Sequence, residues 1–195
     1  MRLRRTLGAL AAIALLLAAG CSADAPTAAD DAGHDAGHNA ADVSFATQMF
    51  PHPDQALRMV AMTEGRDLYP DFEQLTSHIH DAQQPEIETM TAWLEEWGED
   101  VPSGHAHHHG MDMSGLEGMA GMMSEEDLAD LDAAAPSTFE QMWLRMMIEH
   151  HEGAIEMART EIGKGGYRPA LDLAASIVES QTHEIDEMRA MLGAA

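Results

Sequence analysis

Two sets of four residues share one spacing in this chain and could bind a soft metal ion. They are Met49, His52, Ala56 and Met59, then Met147, His150, Ala154 and Met157. Positions i, i+3, i+7 and i+10 share one face of a helix. Each stripe therefore offers thioethers and an imidazole. Two further stripes repeat an amide, a carboxylate and a thioether: Gln83, Glu86 and Met90, then Gln181, Glu184 and Met188, with Ile87 and Ile185 beside the carboxylates. A stripe aimed at an interior is ordinarily apolar, so polar groups there must be hydrogen-bonded, paired or bound to a ligand. Thioether is soft and suits monovalent copper. Imidazole suits either oxidation state, and divalent copper heads the affinity order at nitrogen and oxygen sites. In the competing reading, methionine fills core gaps while His, Gln and Glu satisfy one another.

His150 and His151 stand between Glu149 and Glu152. Adjacent helical residues diverge by about 100°. One imidazole is then expected to face the core and the other a partner or loop, with Met147 and His151 an i, i+4 pair. A second concentration of ligand types lies between the stripes: His105, His107, His108 and His109, then Met111, Met113, Met119, Met122 and Met123. Such a tract on a Gly-rich chain can wrap a metal with little strain. Cys21 is the only cysteine, so any soft ligand elsewhere must be methionine. Glu-x-x-His, His-Glu-x-x-His and Gly-x-Ser-x-Gly are all absent from the sequence, which removes di-iron carboxylate, zinc-protease and serine-hydrolase chemistry.

Helices position the stripes. A helical pattern runs from about residue 42 towards 64, with Pro51 and Pro53 predicting a kink or break near residues 51–53. A second runs over 71–97, with Gly98 as its stop. A short one is possible near 124–133, where Ser124 and Asp127 resemble an N-terminal cap. Long ones cover about 136–162 and 169–192. Sliding the chain by 98 residues superposes Met49 on Met147, His52 on His150, Gly65 on Gly163, Tyr69 on Tyr167, Gln83 on Gln181 and Leu94 on Leu192. A helical hairpin is thus duplicated. The expected organisation is a first hairpin over 42–98, a His/Met-rich linker over 99–137 and a second hairpin over 138–192. Together they form one all-α, four-helix bundle.

Composition agrees. Aromatic residues are 5% of a chain that is 45% hydrophobic, which suits helices better than sheets. A net charge of -24 excludes nucleic acid, whose phosphates need clustered Lys and Arg. Arg2, Arg4 and Arg5 precede an apolar run from Leu7 to Ala19 and then Gly20-Cys21. This reads as an export signal over 1–20 with a lipobox-like end, making Cys21 the lipidated first residue of a flexible tether over 21–41.

The runs Asp42-Val43-x-Phe45, Met49-Phe50-Pro51-His52, Gln55-Ala56 and Met59 resemble the opening of the bacterial "domain of unknown function 305" family. Ala82-Gln83, Glu86-Ile87, Trp93-Leu94, Gly121-Met122-Met123-Ser124, Met147 to Met157 and Gln181-x-x-Glu184-Ile185 continue the resemblance. It implies a ferritin-like four-helix arrangement in exported proteins, some of them copper-binding. The family's paired histidine stands at His150-His151, whereas the first copy reads His52-Pro53. The leading expectation is an exported, lipid-anchored, non-catalytic copper-binding protein on the outer face of the membrane or in the periplasm. It would buffer, sequester or hand on copper, and its candidate partners are a second copy of itself in a homo-oligomer or another copper protein. Its expected ligands are His150, His151, Met147, Met157, His52, Met49 and Met59, with the linker histidines and methionines. Gln83, Glu86, Gln181, Glu184, Met90 and Met188 surround them. A structural module of the envelope is the alternative, and a metal-dependent oxidase or oxidant scavenger the third.

Overall fold

A computed structural model describes residues 37–102 and 119–194. The export segment, Cys21 and most of the tether lie outside the described residues, as do His105, His107, His108, His109, Met111 and Met113. The described residues form α1 (Ala40–Met49), α2 (Pro51–Ala61), α3 (Pro70–Trp97), α4 (Glu125–Asp132), α5 (Pro136–Lys164) and α6 (Arg168–Ala194). None of these helices is long and apolar enough to cross a membrane.

Local chemistry sets the boundaries. The Asn39 side chain accepts from the amides of Ala41 and Asp42, and the Asp42 carboxylate accepts from the Asn39 amide at 2.6 Å, a reciprocal cap. The first arm breaks at Phe50. Pro51 and Pro53 bring no N–H to the ladder, so the helix restarts with Pro51 in its first turn, where that donor is not needed. Helix α3 ends on Gly98, whose φ of 73° lets the Glu99 amide reach back to the Leu94 carbonyl at 2.9 Å. Ser124 caps α4 with Asp127 as its partner. Helix α5 passes through Gly163, expected to break it, and stops at Gly165.

Helix α2 packs on α3, and α5 on α6, as two hairpins; α1 bridges to both α3 and α5. Their apolar side chains form two clusters. One includes Met59, Leu75, Ile79, Trp143, Met147 and Met188. The other includes Phe45, Met49, Met90, Ile177 and, half-buried against it, Met157 and Leu173. The 98-residue shift converts one set into the other, so the two clusters are counterparts under the sequence repeat.

The hairpins also clasp each other's turns in matching ways. Asp42 Oδ1 accepts the Tyr167 amide at 2.9 Å, and Glu140 Oε1 accepts the Tyr69 amide at 2.9 Å. Residues 42 and 140, like 69 and 167, differ by the same 98. Asp42 is fully buried and also receives the Gly166 amide. Removing its carboxylate strands amides that water cannot easily reach. Asp42→Ala should therefore lower unfolding stability by about 1–3 kcal/mol. Glu140→Ala, at the more exposed clasp, should lose less, and urea denaturation of both variants checks the order.

Candidate metal centre

On every arm a polar stretch separates residues of the two apolar clusters. His52 lies between Met49 and Met59, and His150 between Met147 and Ala154. Gln83 and Glu86 lie between Ile79 and Met90, and Gln181 and Glu184 between Ile177 and Met188. All six are buried, together with His151. The sequence-predicted stripes therefore converge on one polar layer at the waist of the molecule.

Within the layer the His52 and His150 rings stand 4.9 Å apart, and the His150 and His151 rings 5.9 Å apart. Both adjacent histidines point inward, where one had been expected to face a partner or loop. His151 is accommodated because its Nε2 meets Glu184 Oε2 at 2.6 Å. His52 Nε2 donates to the Ala120 carbonyl at 3.0 Å, which assigns its tautomer and leaves Nδ1 as a bare acceptor. His150 is different. It is 0% exposed, and neither ring nitrogen has a hydrogen-bond partner. Burial holds it neutral, well below its ordinary range, with the neighbouring His52 and His151 adding to the effect. A contact with the His52 backbone opposes this but falls short of hydrogen-bond geometry.

The duplication is imperfect at this layer. Glu184 has His151, whereas the corresponding neighbour of Glu86 would be residue 53, which is proline. Glu86 Oε2 consequently has no partner, and burial, with Glu184 nearby, pushes its carboxyl up to about 8. The amide oxygens of Gln83 and Gln181 are likewise buried without donors.

The thioethers divide into two tiers. Met147 precedes its histidine by three residues on one helix, about 4.5 Å of rise, and Met49 precedes His52 by three across the break at Phe50, whereas Met157 and Met59 follow by seven, about 10.5 Å. Met49, Met59, Met90, Met147 and Met188 are fully buried, while Met157 opens onto an outer cavity. Met122 is half-buried and Met123 buried at the end of the linker.

The linker end, whose Met122 and Met123 were among the expected ligands, is held against the layer by contacts that sequence reasoning did not specify. Gln55 clasps the Met123 backbone twice, donating to its carbonyl at 2.9 Å and accepting from its amide at 2.8 Å. Gly121, at φ 79°, passes so close to α5 that a Cβ would stand 2.6 Å from the Glu149 carbonyl oxygen. A Cβ on Gly153 would collide with the Ala120 carbonyl. Residues 55 and 153 are counterparts under the repeat, so matching positions of α2 and α5 both seat the segment. The runs Gln55-Ala56 and Gly121-Met122-Met123 were the only signal in the sequence for this contact.

The geometry is that of an all-α duplicated-hairpin protein with an imidazole- and thioether-lined polar core. The chain belongs to the DUF305 family (domain of unknown function), whose family model matches residues 42–192. Its fold is similar to a DUF305 fragment from Deinococcus radiodurans, with 28% identity, TM-score 0.70, and coverage of 82% of this chain and 100% of that one. It is also similar to CopM in a Cu(II)-bound form, at 28% identity and TM-score 0.64, covering 78% of this chain and 95% of the other. The Cu(I)-bound form of CopM gives 25% identity and TM-score 0.60, with 77% and 94% covered. No curated protein is similar enough to this chain to count as a match.

The layer dictates a pH profile for the metal-free protein. Burial holds His52 down at about 4 instead of 6.5. Unfolding between those values takes up a proton, so His52's contribution is lost as pH falls from 6.5 to about 4. Glu86 is raised from 4.5 to about 8, so unfolding in that window releases a proton and its contribution is lost as pH rises towards 8. Above pH 6.5 only the Glu86 effect remains of the two. Glu161, also raised to about 8, adds to the same decline, so Glu86→Gln should reduce the decline between pH 6.5 and pH 8 without abolishing it, removing a slope of up to about 1.4 kcal/mol per pH unit. Urea denaturation of both proteins at those two pH values checks it.

Proposed function

We propose that this protein is an extracytoplasmic copper-binding protein that buffers, sequesters or hands on copper as its cargo. His150 is the central ligand, with Met147 and His151 beside it on α5, His52 facing it from α2, and Met49 three residues before His52. Met59 and Met157, two turns away, form an outer tier. Cys21 carries the lipid anchor on the outer face of the membrane. His105, His107, His108, His109, Met111 and Met113 of the linker, with Met122 and Met123 at its end, capture ions.

The observation that carries this reading is the His150 ring, fully buried beside the His52 ring with neither nitrogen hydrogen-bonded. An imidazole left so costs about 1–3 kcal/mol for each unsatisfied group. A metal ion that accepts the lone pair would offset that cost. The nearby thioethers make the set soft enough for monovalent copper. Similarity to CopM, described in Cu(II)-, Cu(I)- and silver-bound forms, supports the same cargo.

A structural module is favoured by one finding. Among the described residues no group of three or more His, Cys, Asp or Glu side chains is placed to hold a metal ion. Methionine lies outside that test, and the two readings separate in a titration. Residues 22–195 should compete with a chromophoric chelator for monovalent copper without oxygen. Tight binding should survive removal of residues 104–117, a deletion that spares the Gln55 clasp on Met123. It should weaken at least about tenfold, or 1.4 kcal/mol, in His150→Ala. If His150→Ala binds as the parent does while its metal-free thermal stability changes, the layer is structural and the copper reading fails.

A further inference from the structure

Helix α4 fills a seat on one half of the molecule. Leu128 and Leu131 are fully buried and pack in the cluster of Met59, Phe139 and Trp143. At its two ends Glu125 pairs with Arg58 at 2.9 Å and Asp132 with Arg66 at 3.2 Å. The 98-residue shift carries Arg58, Met59 and Arg66 onto Glu156, Met157 and Lys164. It carries Phe139, Trp143 and Met146 onto Ala41, Phe45 and Gln48. All six of these counterparts line one open cavity of about 610 Å³ between α1, α5 and the linker end at Met119 and Ala120. The cavity is therefore the pseudo-symmetric image of the α4 seat, deepened by the exchange of Trp143 for Phe45 and Phe139 for Ala41.

The chain supplies no second α4 in that register. Residues 27–34 correspond to α4, but Asp30 and Gly33 stand where α4 has Leu128 and Leu131. The charges differ as well. Glu156 replaces Arg58, while Lys164 keeps the sign of Arg66. An α4 borrowed from a second copy would thus set Glu125 against Glu156, a like-charge contact. One more feature has no counterpart in the filled seat, where Thr63 takes its place. Glu161 lines the cavity, is 1% exposed, and has its carboxyl against that of Asp42. Burial, with Asp42 beside it, pushes its carboxyl up to about 8.

We propose that this groove docks a short amphipathic helix of a partner protein. Such a helix would present Lys or Arg to Glu156, an acidic residue to Lys164, and apolar side chains to Phe45 and Met157. The α4 seat shows that the geometry accepts a helix of eight residues. The charge pattern selects a helix other than α4.

The probe is a synthetic peptide of residues 123–134 carrying Glu125→Lys, titrated into residues 22–195 with methyl-labelled methionine. The unsubstituted peptide is the control. The Lys peptide should shift the Met157 methyl resonance, leave Met59 in place and bind at least about threefold tighter than the control, the span of a partly exposed ion pair. Glu156→Lys, an exposed substitution, should reverse the preference. If neither peptide moves Met157, or if Glu156→Lys leaves the preference unchanged, the proposal is overturned. Tighter binding of the unsubstituted peptide would assign the groove to a second copy and overturn it too. Binding seen only in a chain that begins at Gly37 would assign the groove to the chain's own N-terminal segment, with the same consequence.

Discussion

A polar side chain in the middle of a helical core must find a partner or carry an energetic cost, and this molecule places seven of them in one layer. The apolar residues cannot close over that layer as a single core. They divide into two clusters, one on each side, and every arm changes cluster as it crosses the waist. The cost is partly met from within, by His151 with Glu184 and by His52 with the Ala120 carbonyl. What is left over is Nδ1 of His52 and of His151, one oxygen of Glu86, the two glutamine oxygens and both nitrogens of His150, so His150 is the one ring of the three with neither nitrogen engaged. Stability in the two halves and unsatisfied chemistry at the waist are thus consequences of one arrangement. Packing above and below denies His150 access to water, and the same packing keeps it neutral and available as a lone-pair donor.

Duplication explains the layer, and departures from duplication explain its chemistry. Two equal hairpins would give two His–Glu pairs, two indoles and two covering helices. The chain has His151 but Pro53, Trp143 but Phe45, and, among the described residues, a covering helix on one side only. The tryptophan side is sealed, its indole donating to the Met59 carbonyl at 2.8 Å and Arg66 lying over Phe139. The phenylalanine side keeps the cavity. One fold therefore has a closed half and an open half around a shared polar waist, with nothing asymmetric needed in the backbone plan.

Much of this was legible in the sequence, because a repeat of constant offset leaves its mark on every residue it conserves. Met49 with Met147 and Gln83 with Gln181 disclosed the hairpin, and the stripe spacing disclosed which faces meet. Proline and glycine marked most ends, since Pro51, Pro70, Pro136 and Gly98 act through their own backbone. Gly163 misled, because a glycine is tolerated inside a helix whose flanks are well packed. The inward turn of both His150 and His151 was not legible, since it depends on Glu184 being a helix away. Nor were the clasps from Asp42 to Tyr167 and from Gln55 to Met123. A side chain that bonds to a distant backbone amide leaves no periodicity to read.

The two copies have also divided their labour at the histidines. His52 spends its Nε2 on Ala120, and Gln55, one turn on, holds Met123, so α2 seats the end of the linker. The equivalent positions of α5 are His150 and Gly153. Gly153 has no side chain, which lets the same segment approach closely, and His150 spends neither nitrogen. A strictly symmetric layer would have engaged both imidazoles in the same way, leaving either two free rings with no seated linker or none free. Giving α2 the structural contact is what allows α5 to keep an uncommitted imidazole at the centre of the molecule. The backbone leading to the His/Met-rich linker is at the same time held directly beside it.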